Sequence, residues 1–152
     1  MRAISKDGCK MIYTKQTKKA LKLCFSAHKD QKDKSGMPYV FHPFHLAEQM
    51  TDETTTVVAL LHDVVEDSEY TLDDLKKEGF TKEVLDAVAL LTHNDSENYL
   101  DYVARIKQNP IARAVKLADL AHNTDTTRLE VIDDKMLKRY EEYRKAIKLL
   151  NE

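Results

Sequence analysis

Two largely apolar segments of the sequence carry polar side chains that a buried helix has no reason of its own to hold. Residues 57–65 are apolar except for the adjacent pair His62 and Asp63. Residues 114–121 hold Asp119 in a similar setting. Because burying an unpaired carboxylate costs several kcal/mol or more, such groups are paired or bind a metal ion. The pattern therefore indicates a metal site in which these side chains take part.

A third segment adds another imidazole. His42 precedes Pro43, and because proline favours the first turn of a helix, we expect His42 at a helix N-terminus. Two imidazoles and two carboxylates suit Mn²⁺, Fe²⁺ or Zn²⁺ better than Mg²⁺ or Ca²⁺. Four protein ligands also leave positions on a six-coordinate ion for water and a substrate oxygen. The predicted metal ligands are His42, His62, Asp63 and Asp119.

Two more acidic residues follow the His-Asp pair. We expect residues 54–66 to form one buried helix, because this stretch is apolar almost all round. In such a helix Glu66 lies one turn after His62, and Asp67 lies one turn after Asp63. Adjacent helical residues point about 100° apart, so the histidine and its neighbouring aspartate would reach one ion from opposite sides. All four side chains would then line one end of this helix.

Plainer structural interpretations of the same residues stay open. A buried ion pair or a helix-end cap would explain His62 and Asp63. A pair with Lys116, three residues earlier, would explain Asp119. His42 could be a helix N-cap or a loop histidine, and the two acids that follow the His-Asp pair could be a solvated helix end. The metal site is favoured because the ion-pair interpretation leaves those two acids unexplained.

The remaining histidines and the tyrosines are expected to be structural. His45 lies one turn after His42 and is expected to pack nearby or to support the ligands from behind. His28 ends an apolar helix face and is expected in the core, bonded to a neighbouring loop. The other rings are expected in the core, at an interface or on the surface: His93, His122, Tyr99, Tyr102, Tyr140 and Tyr143.

The elements that must position these residues are all predicted to be helices. The chain has three glycines and three prolines, and no segment alternates with period two, so an all-α fold is favoured. Its 152 residues fit one domain, residues 1–152, with seven or eight short helices around a single core. Polar residues that can cap helices mark several starts: Thr14, Thr71, Thr81 and Asp133, the last opening a C-terminal helix over roughly 133–150.

Composition narrows the possible partners and compartments. The 24 basic and 26 acidic residues give a net charge of −2, so no overall positive field favours nucleic acid. Cys9 and Cys24 form no CxxC pair, and without a signal peptide they predict reduced thiols in the cytoplasm. The longest apolar run, residues 57–61, is too short to span a bilayer. We therefore expect a cytoplasmic protein with a small-molecule partner, and an oligomer is possible.

At this point the sequence resembles the HD superfamily of metal-dependent phosphohydrolases. More narrowly, it resembles the (p)ppGpp hydrolase domain of RelA/SpoT homologues and their small stand-alone relatives. The matching stretches are AHKDQKDKSGMPYVFHP at 27–43, ALLHDVVED at 59–67 and VKLADLAHN at 115–123. They occur in the same order, and the resemblance covers roughly residues 14–130. Three matched motifs, one of them HDxxED, are a specific signal. The resemblance implies an HD-type helical bundle.

The resemblance also implies roles for individual residues. The four predicted ligands match the metal ligands of the family, with Mn²⁺ usual in this branch. Glu66 and Asp67 match the acidic pair that handles the attacking water. The implied reaction removes the 3′-pyrophosphate from (p)ppGpp. Positions that border the nucleotide in the family correspond to Lys34, Ser35, Asn123 and Thr126.

Two positions depart from the family pattern. Asp33 and Asp125 stand where the family usually carries arginine, which reverses the local charge and should weaken binding of a polyanion. We expect Lys34 and Lys116 to hold phosphate oxygens instead. The predicted function is therefore hydrolysis of a nucleotide phosphate or pyrophosphate ester, with (p)ppGpp as one possible substrate. A non-catalytic nucleotide-binding or sensing module and a metal-free structural bundle are the alternatives.

Overall fold

The computed structural model describes residues 10–152, and within this range the chain folds into nine α-helices and one 3₁₀ helix. The described part contains no strand, only an isolated bridge between Lys32 and Pro38, so the predicted all-α class is confirmed. The 3₁₀ helix, Thr126–Arg128, lies between the last two α-helices. The α-helices are α1 Lys15–His28, α2 Phe41–Gln49, α3 Glu53–Leu61, α4 Val64–Asp67, α5 Leu72–Lys77, α6 Lys82–Leu91, α7 Tyr99–Lys107, α8 Pro110–Asn123 and α9 Asp134–Asn151.

The predicted N-caps are confirmed. The Thr14 and Thr71 hydroxyls each accept a hydrogen bond from the backbone N–H three residues later, and both helices complete a reciprocal capping box. Thr81 and Asp133 cap α6 and α9 in the same way. Each such cap contributes about 1 kcal/mol to helix stability. Side-chain caps of this kind also open α3, α7 and α8, so most α-helix starts in the described part of the chain are set by local sequence.

Helix α3 lies at the centre of the fold. It packs against α1, α2, α6 and α8, and residues 55–61 of the chain are all buried. This confirms the expectation of a helix that is apolar all round. Because α2 and α8 flank α3 and also contact each other, the three helices bring their polar side chains to one place.

The predicted single helix over 54–66 is wrong at one point, because α3 ends at Leu61 and α4 begins at Val64. The His62 ring Nδ1–H donates to the carbonyl of Ala59 at 2.6 Å. In a continuous helix the backbone N–H of Asp63 would bond that carbonyl, so the side chain competes with the helix. Asp63 turns to φ −107° and ψ 0°, outside the helical range.

The apolar residues of α1 divide between the core and the surface. Leu23 faces the core, whereas Phe25 is 58% exposed. Cys24 is a buried free thiol, and burial together with the nearby Asp63 carboxylate raises its pKa to about 12. Cys9 lies outside the described residues. Within residues 10–152, no helix combines the length and apolar character needed to cross a membrane.

Candidate metal centre

Three helices bring the predicted ligands together. His42 comes from the first turn of α2, His62 from the end of α3, and Asp119 from the last turns of α8; all three are buried. One ligand atom from each of the three lies within 4.8 Å of the others. Asp63 joins this group, because its Oδ2 lies 3.0 Å from His62 Nε2. The structure therefore brings three of the predicted ligands together, and the fourth, Asp63, contacts the group through His62.

His62 presents a buried nitrogen that fits a metal ion. Because its Nδ1–H donates to the Ala59 carbonyl, the neutral ring carries its lone pair on Nε2. That Nε2 is buried and makes no hydrogen bond, although carboxylate oxygens of Asp63 and Asp119 lie 3.0 and 3.9 Å away. A lone pair facing two carboxylates is unfavourable unless a cation stands between them. The donor set therefore fits a divalent ion.

The pKa values of His62 and Asp63 reflect the same attraction between the imidazole and the carboxylates. Burial opposes the charged form of His62, but the carboxylates of Asp63 and Asp119 outweigh it and raise the pKa to about 9. Burial also opposes ionisation of Asp63, yet His62 lowers the pKa of that carboxyl to about 2. The cluster thus carries a strong negative potential that attracts a positive charge.

Both oxygens of Asp119 are held in place. Oδ1 is 2.8 Å from His42 Nε2 and accepts a hydrogen bond from Asn123 Nδ2 at 2.9 Å. Oδ2 accepts from Lys116 Nζ, also at 2.9 Å. Burial opposes ionisation of Asp119, but Lys116 and His42 hold the pKa of its carboxyl well below the usual value. Asp119 is therefore a fixed anion.

Lys116 forms the ion pair with Asp119 that the sequence left open beside a contact with substrate phosphate. Its side chain is 11% exposed, its Nζ bonds Asp119, and it lies over the rings of Tyr99 and Tyr102 at 5.8 and 5.3 Å. An ammonium group enclosed in this way is a poor contact for a substrate phosphate. The geometry favours a role for Lys116 in holding Asp119. The ion pair between these two residues is therefore present in the structure.

Both acids of the predicted acidic pair lie beside Asp63, whereas the single helix placed only Asp67 one turn from Asp63 and placed Glu66 one turn from His62. Carboxylate oxygens of Asp63, Glu66 and Asp67 all lie within 4.8 Å of one another. Glu66 Oε1 accepts a hydrogen bond from the His93 backbone N–H at 2.6 Å. Burial and the charge of Asp63 raise the pKa of Asp67 to about 6, with a further contribution from Glu66. Asp63 therefore links the buried cluster to two exposed carboxylates.

A cavity of about 320 Å³ adjoins the cluster, with Tyr39 and His42 in its wall. The Tyr39 hydroxyl donates to Asp63 Oδ2, so this ring contacts both the cluster and the cavity. The predicted nucleotide-binding residues Lys34, Ser35 and Asn123 line the cavity, whereas Thr126 is exposed and does not. The sequence did not identify several other residues as lining this cavity, among them Arg128, Met136, Arg139, Tyr140 and Tyr143.

The two aspartates that replace family arginines have structural partners. Asp33 Oδ1 accepts from the backbone N–H groups of Ser35 and Met37 at 2.9 and 3.0 Å, and Oδ2 lies 3.7 Å from Arg128 Nη2. Asp125 caps the 3₁₀ helix by accepting from the Thr127 N–H at 3.0 Å. The negative charge expected at position 33 is thus paired with a cation inside the same cavity.

Unpaired cations remain in this cavity. Within residues 10–152, Lys34 and Arg139 make no ion pair. Burial and the nearby charges of Arg139 and Lys135 lower the pKa of Lys34. Two cations in the wall of one cavity attract an anion that can neutralise them. Arg139 also lines the space on the Glu66 side of the cluster, so it spans both regions.

The fold and the His/Asp cluster define an all-α domain of HD type that could bind a metal. No protein-family model matches the chain. Among curated proteins, the GTP pyrophosphokinase of Streptomyces coelicolor is 35% identical over 146 residues, covering 87% of this chain and 16% of that protein. The bifunctional (p)ppGpp synthase/hydrolase SpoT of Escherichia coli is 32% identical over 127 residues, covering 74% of this chain and 18% of SpoT. The chain thus spans about a sixth of the length of these relatives.

A solved structure gives the same result for the fold. It is described as a metazoan ortholog of SpoT that hydrolyzes ppGpp and plays a role in starvation responses. It matches with a TM-score of 0.73 over 93% of this chain and 88% of that chain, at 24% identity. The resemblance drawn from the sequence is therefore confirmed, and the chain is an HD-type, (p)ppGpp hydrolase-like domain.

Proposed function

We propose that the chain is a metal-dependent phosphohydrolase that acts on a nucleotide phosphate or pyrophosphate ester, with (p)ppGpp as the first candidate substrate. The observation that carries this proposal is the convergence of buried His42, His62 and Asp119, whose ligand atoms lie within 4.8 Å of one another. A purely structural ion pair between His62 and Asp63 would leave the approach of His42 and Asp119 to the same point unexplained.

His42, His62, Asp63 and Asp119 would hold the ion, and their mixed nitrogen and oxygen donors favour Mn²⁺, with Fe²⁺ or Zn²⁺ as alternatives. When bound, the ion would lower the pKa of water and neutralise phosphoryl charge. Lys116 and Asn123 keep Asp119 in place, and the Tyr39 hydroxyl does the same for Asp63.

The exposed acids would handle protons. Glu66 is held by the His93 backbone N–H and would orient or deprotonate the attacking water. Asp67 lies beside it and would assist, or protonate the leaving group. General acid–base catalysis of this kind contributes about 10²–10⁴-fold to rate.

The cavity supports a nucleotide as the substrate. Its wall combines the cations Lys34, Arg128 and Arg139, which suit phosphate oxygens, with the tyrosines Tyr39, Tyr140 and Tyr143, which suit a base or sugar. The names of the relatives make (p)ppGpp the first nucleotide to test. A non-catalytic nucleotide-binding module on the same fold is the second candidate, since the cavity alone would bind without turnover.

The test is a hydrolysis screen of chelator-treated protein with and without added Mn²⁺. The panel holds (p)ppGpp, GTP, GDP and a nucleoside 3′-phosphate, with pyrophosphate and phosphate release as readouts. Asp63→Ala should lose both Mn²⁺ binding and turnover. Glu66→Gln should keep Mn²⁺ binding and lose about 10²–10⁴-fold in rate, because the amide oxygen still accepts from His93.

Glu69→Gln is the matched control, since Glu69 is an exposed acid outside the cluster and should behave as the parent protein. Mn²⁺-dependent turnover that survives in both Asp63→Ala and Glu66→Gln would contradict the proposed site. Tight nucleotide binding with no turnover in the parent protein, on any member of the panel, would establish the sensing module instead.

A further inference from the structure

The Nδ1 atom of His42, the ring nitrogen that does not face Asp119, contacts the ring of His122. His42 Nδ1 lies 2.7 Å from Nδ1 of His122, a residue near the end of α8 that the sequence placed among structural or surface residues. A contact this short between two ring nitrogens requires one proton between them. One ring therefore donates and the other accepts.

The geometry of this contact is that of an in-plane hydrogen bond. The two rings are within 10° of parallel, and their centroids are 5.0 Å apart. That separation is the distance between the nitrogens plus one ring radius at each end, so both nitrogens lie on the line joining the centroids. Each lone pair or N–H therefore points directly at its partner, and the rings are not stacked face to face.

His122 is fixed in this orientation from two other directions. Its ring does stack on His45, with centroids 4.2 Å apart and planes 28° from parallel. Its backbone carbonyl accepts a hydrogen bond from Arg128 Nη1 at 2.8 Å. Because His42 and His45 lie three residues apart on α2, the His122 ring bonds one and stacks on the other.

We infer that His122 is a positioning residue that selects the metal-binding tautomer of His42. The inference rests on the proposed function, in which His42 offers its Nε2 lone pair to the ion. In the metal-free structure His42 Nε2 carries a proton, because it lies 2.8 Å from the ionised Asp119 Oδ1. An ion would displace that proton, and the remaining proton of His42 would lie on Nδ1, where His122 Nδ1 accepts it. His122 would thus do for His42 what the Ala59 carbonyl does for His62. His45 supports the His122 ring and binds no metal.

The test measures the affinity of the purified full chain for Mn²⁺ alone by isothermal titration calorimetry. His122→Phe keeps a ring to stack on His45 but removes the acceptor, and should weaken Mn²⁺ binding about 10–100-fold. His122→Asn places an amide oxygen where Nδ1 was and should stay within about threefold of the parent protein. His45→Phe keeps the stack and should leave the affinity unchanged, which separates support from ligation.

A second readout reports the tautomers directly. In the Zn²⁺-loaded parent protein, long-range ¹H–¹⁵N correlation spectra should place the proton of His42 on Nδ1 and that of His122 on Nε2. Thermal unfolding without metal shows whether each variant folds, and His122→Leu serves if the Phe variant does not. Its affinity loss should equal that expected for Phe.

The outcomes separate this inference from the proposed function. If the parent protein binds Mn²⁺ and the Phe or Leu variant binds it equally well, His122 does not select the tautomer and only the inference fails. Loss in His122→Asn as large as in His122→Phe would also overturn it. If the parent protein binds no Mn²⁺, the proposed metal site and the role of His122 are both wrong.

Discussion

Replacing Lys116 with methionine removes the cation that lies 2.9 Å from Asp119 Oδ2. The two side chains are only 11% and 7% exposed, so water cannot take over the contact. Methionine is long and flexible enough to fill the space left by the lysine stem. The variant therefore leaves a buried carboxylate without its nearest cation while disturbing packing little.

Breaking a buried ion pair by removing one partner costs about 3–5 kcal/mol. Asp119 keeps its contacts with His42 and Asn123, so we expect the lower end of that range, about 3 kcal/mol, in metal-free protein. In a domain of this length, 1 kcal/mol lowers the Tm by about 2–4 °C, which gives a drop of about 6–12 °C. Saturating Mn²⁺ should reduce the difference in Tm between the parent protein and the variant, because the ion would supply positive charge beside Asp119.

The assay is thermal unfolding of the parent protein and Lys116→Met, first with chelator and then with Mn²⁺. Asp119→Asn and the double variant complete a cycle, whose coupling energy should be at least about 1 kcal/mol for residues in direct contact. If Lys116 instead held substrate phosphate, as the sequence suggested, KM would rise and the Tm would stay the same. A Tm within about 2 °C of the parent in chelator would refute the holding role.

Three further predictions follow from the site. Arg139→Ala should raise the KM for a nucleotide substrate about tenfold or more at unchanged kcat. Arg144 is an exposed arginine on the same helix, and Arg144→Ala should leave KM unchanged. Equal KM values for the two variants would exclude Arg139 from the substrate contact. Tyr39→Phe removes the donor to Asp63 and should weaken Mn²⁺ binding about tenfold, measured by calorimetry. Cys24 should resist iodoacetamide at pH 8 until denaturant is added, because it is buried and its pKa is about 12; labelling of the native protein at that site, mapped by mass spectrometry, would contradict its burial.

Local features of the fold could be predicted from the sequence because their causes are local. Thr14, Thr71 and Thr81 cap helices through a bond to a backbone N–H three residues away, so neighbouring residues suffice to determine them. The burial of α3 likewise follows from its own composition. Phe25 shows the limit, since an apolar residue at the edge of a helical stripe packs only if another element covers it.

The candidate site was predictable in its residue types and not in its geometry. His62, Asp63 and Asp119 could be named because polar groups inside apolar segments need a reason to be there, and His42 because it precedes Pro43 at a predicted helix start. The break after Leu61 could not be foreseen, because it depends on a side chain competing for the carbonyl of Ala59. In a continuous helix Glu66 would lie one turn after His62, whereas in the structure both acids lie beside Asp63.

The sequence by itself determined an all-α chain, most of its helix starts and the identity of the side chains that meet in the cluster. These depend on hydrogen bonds and burial patterns within a few residues of each other. Only the tertiary structure decided three contacts. Lys116 binds Asp119, His122 hydrogen-bonds to Nδ1 of His42, and Arg139 of α9 lines the cavity. Each of these depends on where a side chain points once helices have packed, and spacing along the chain does not fix that direction.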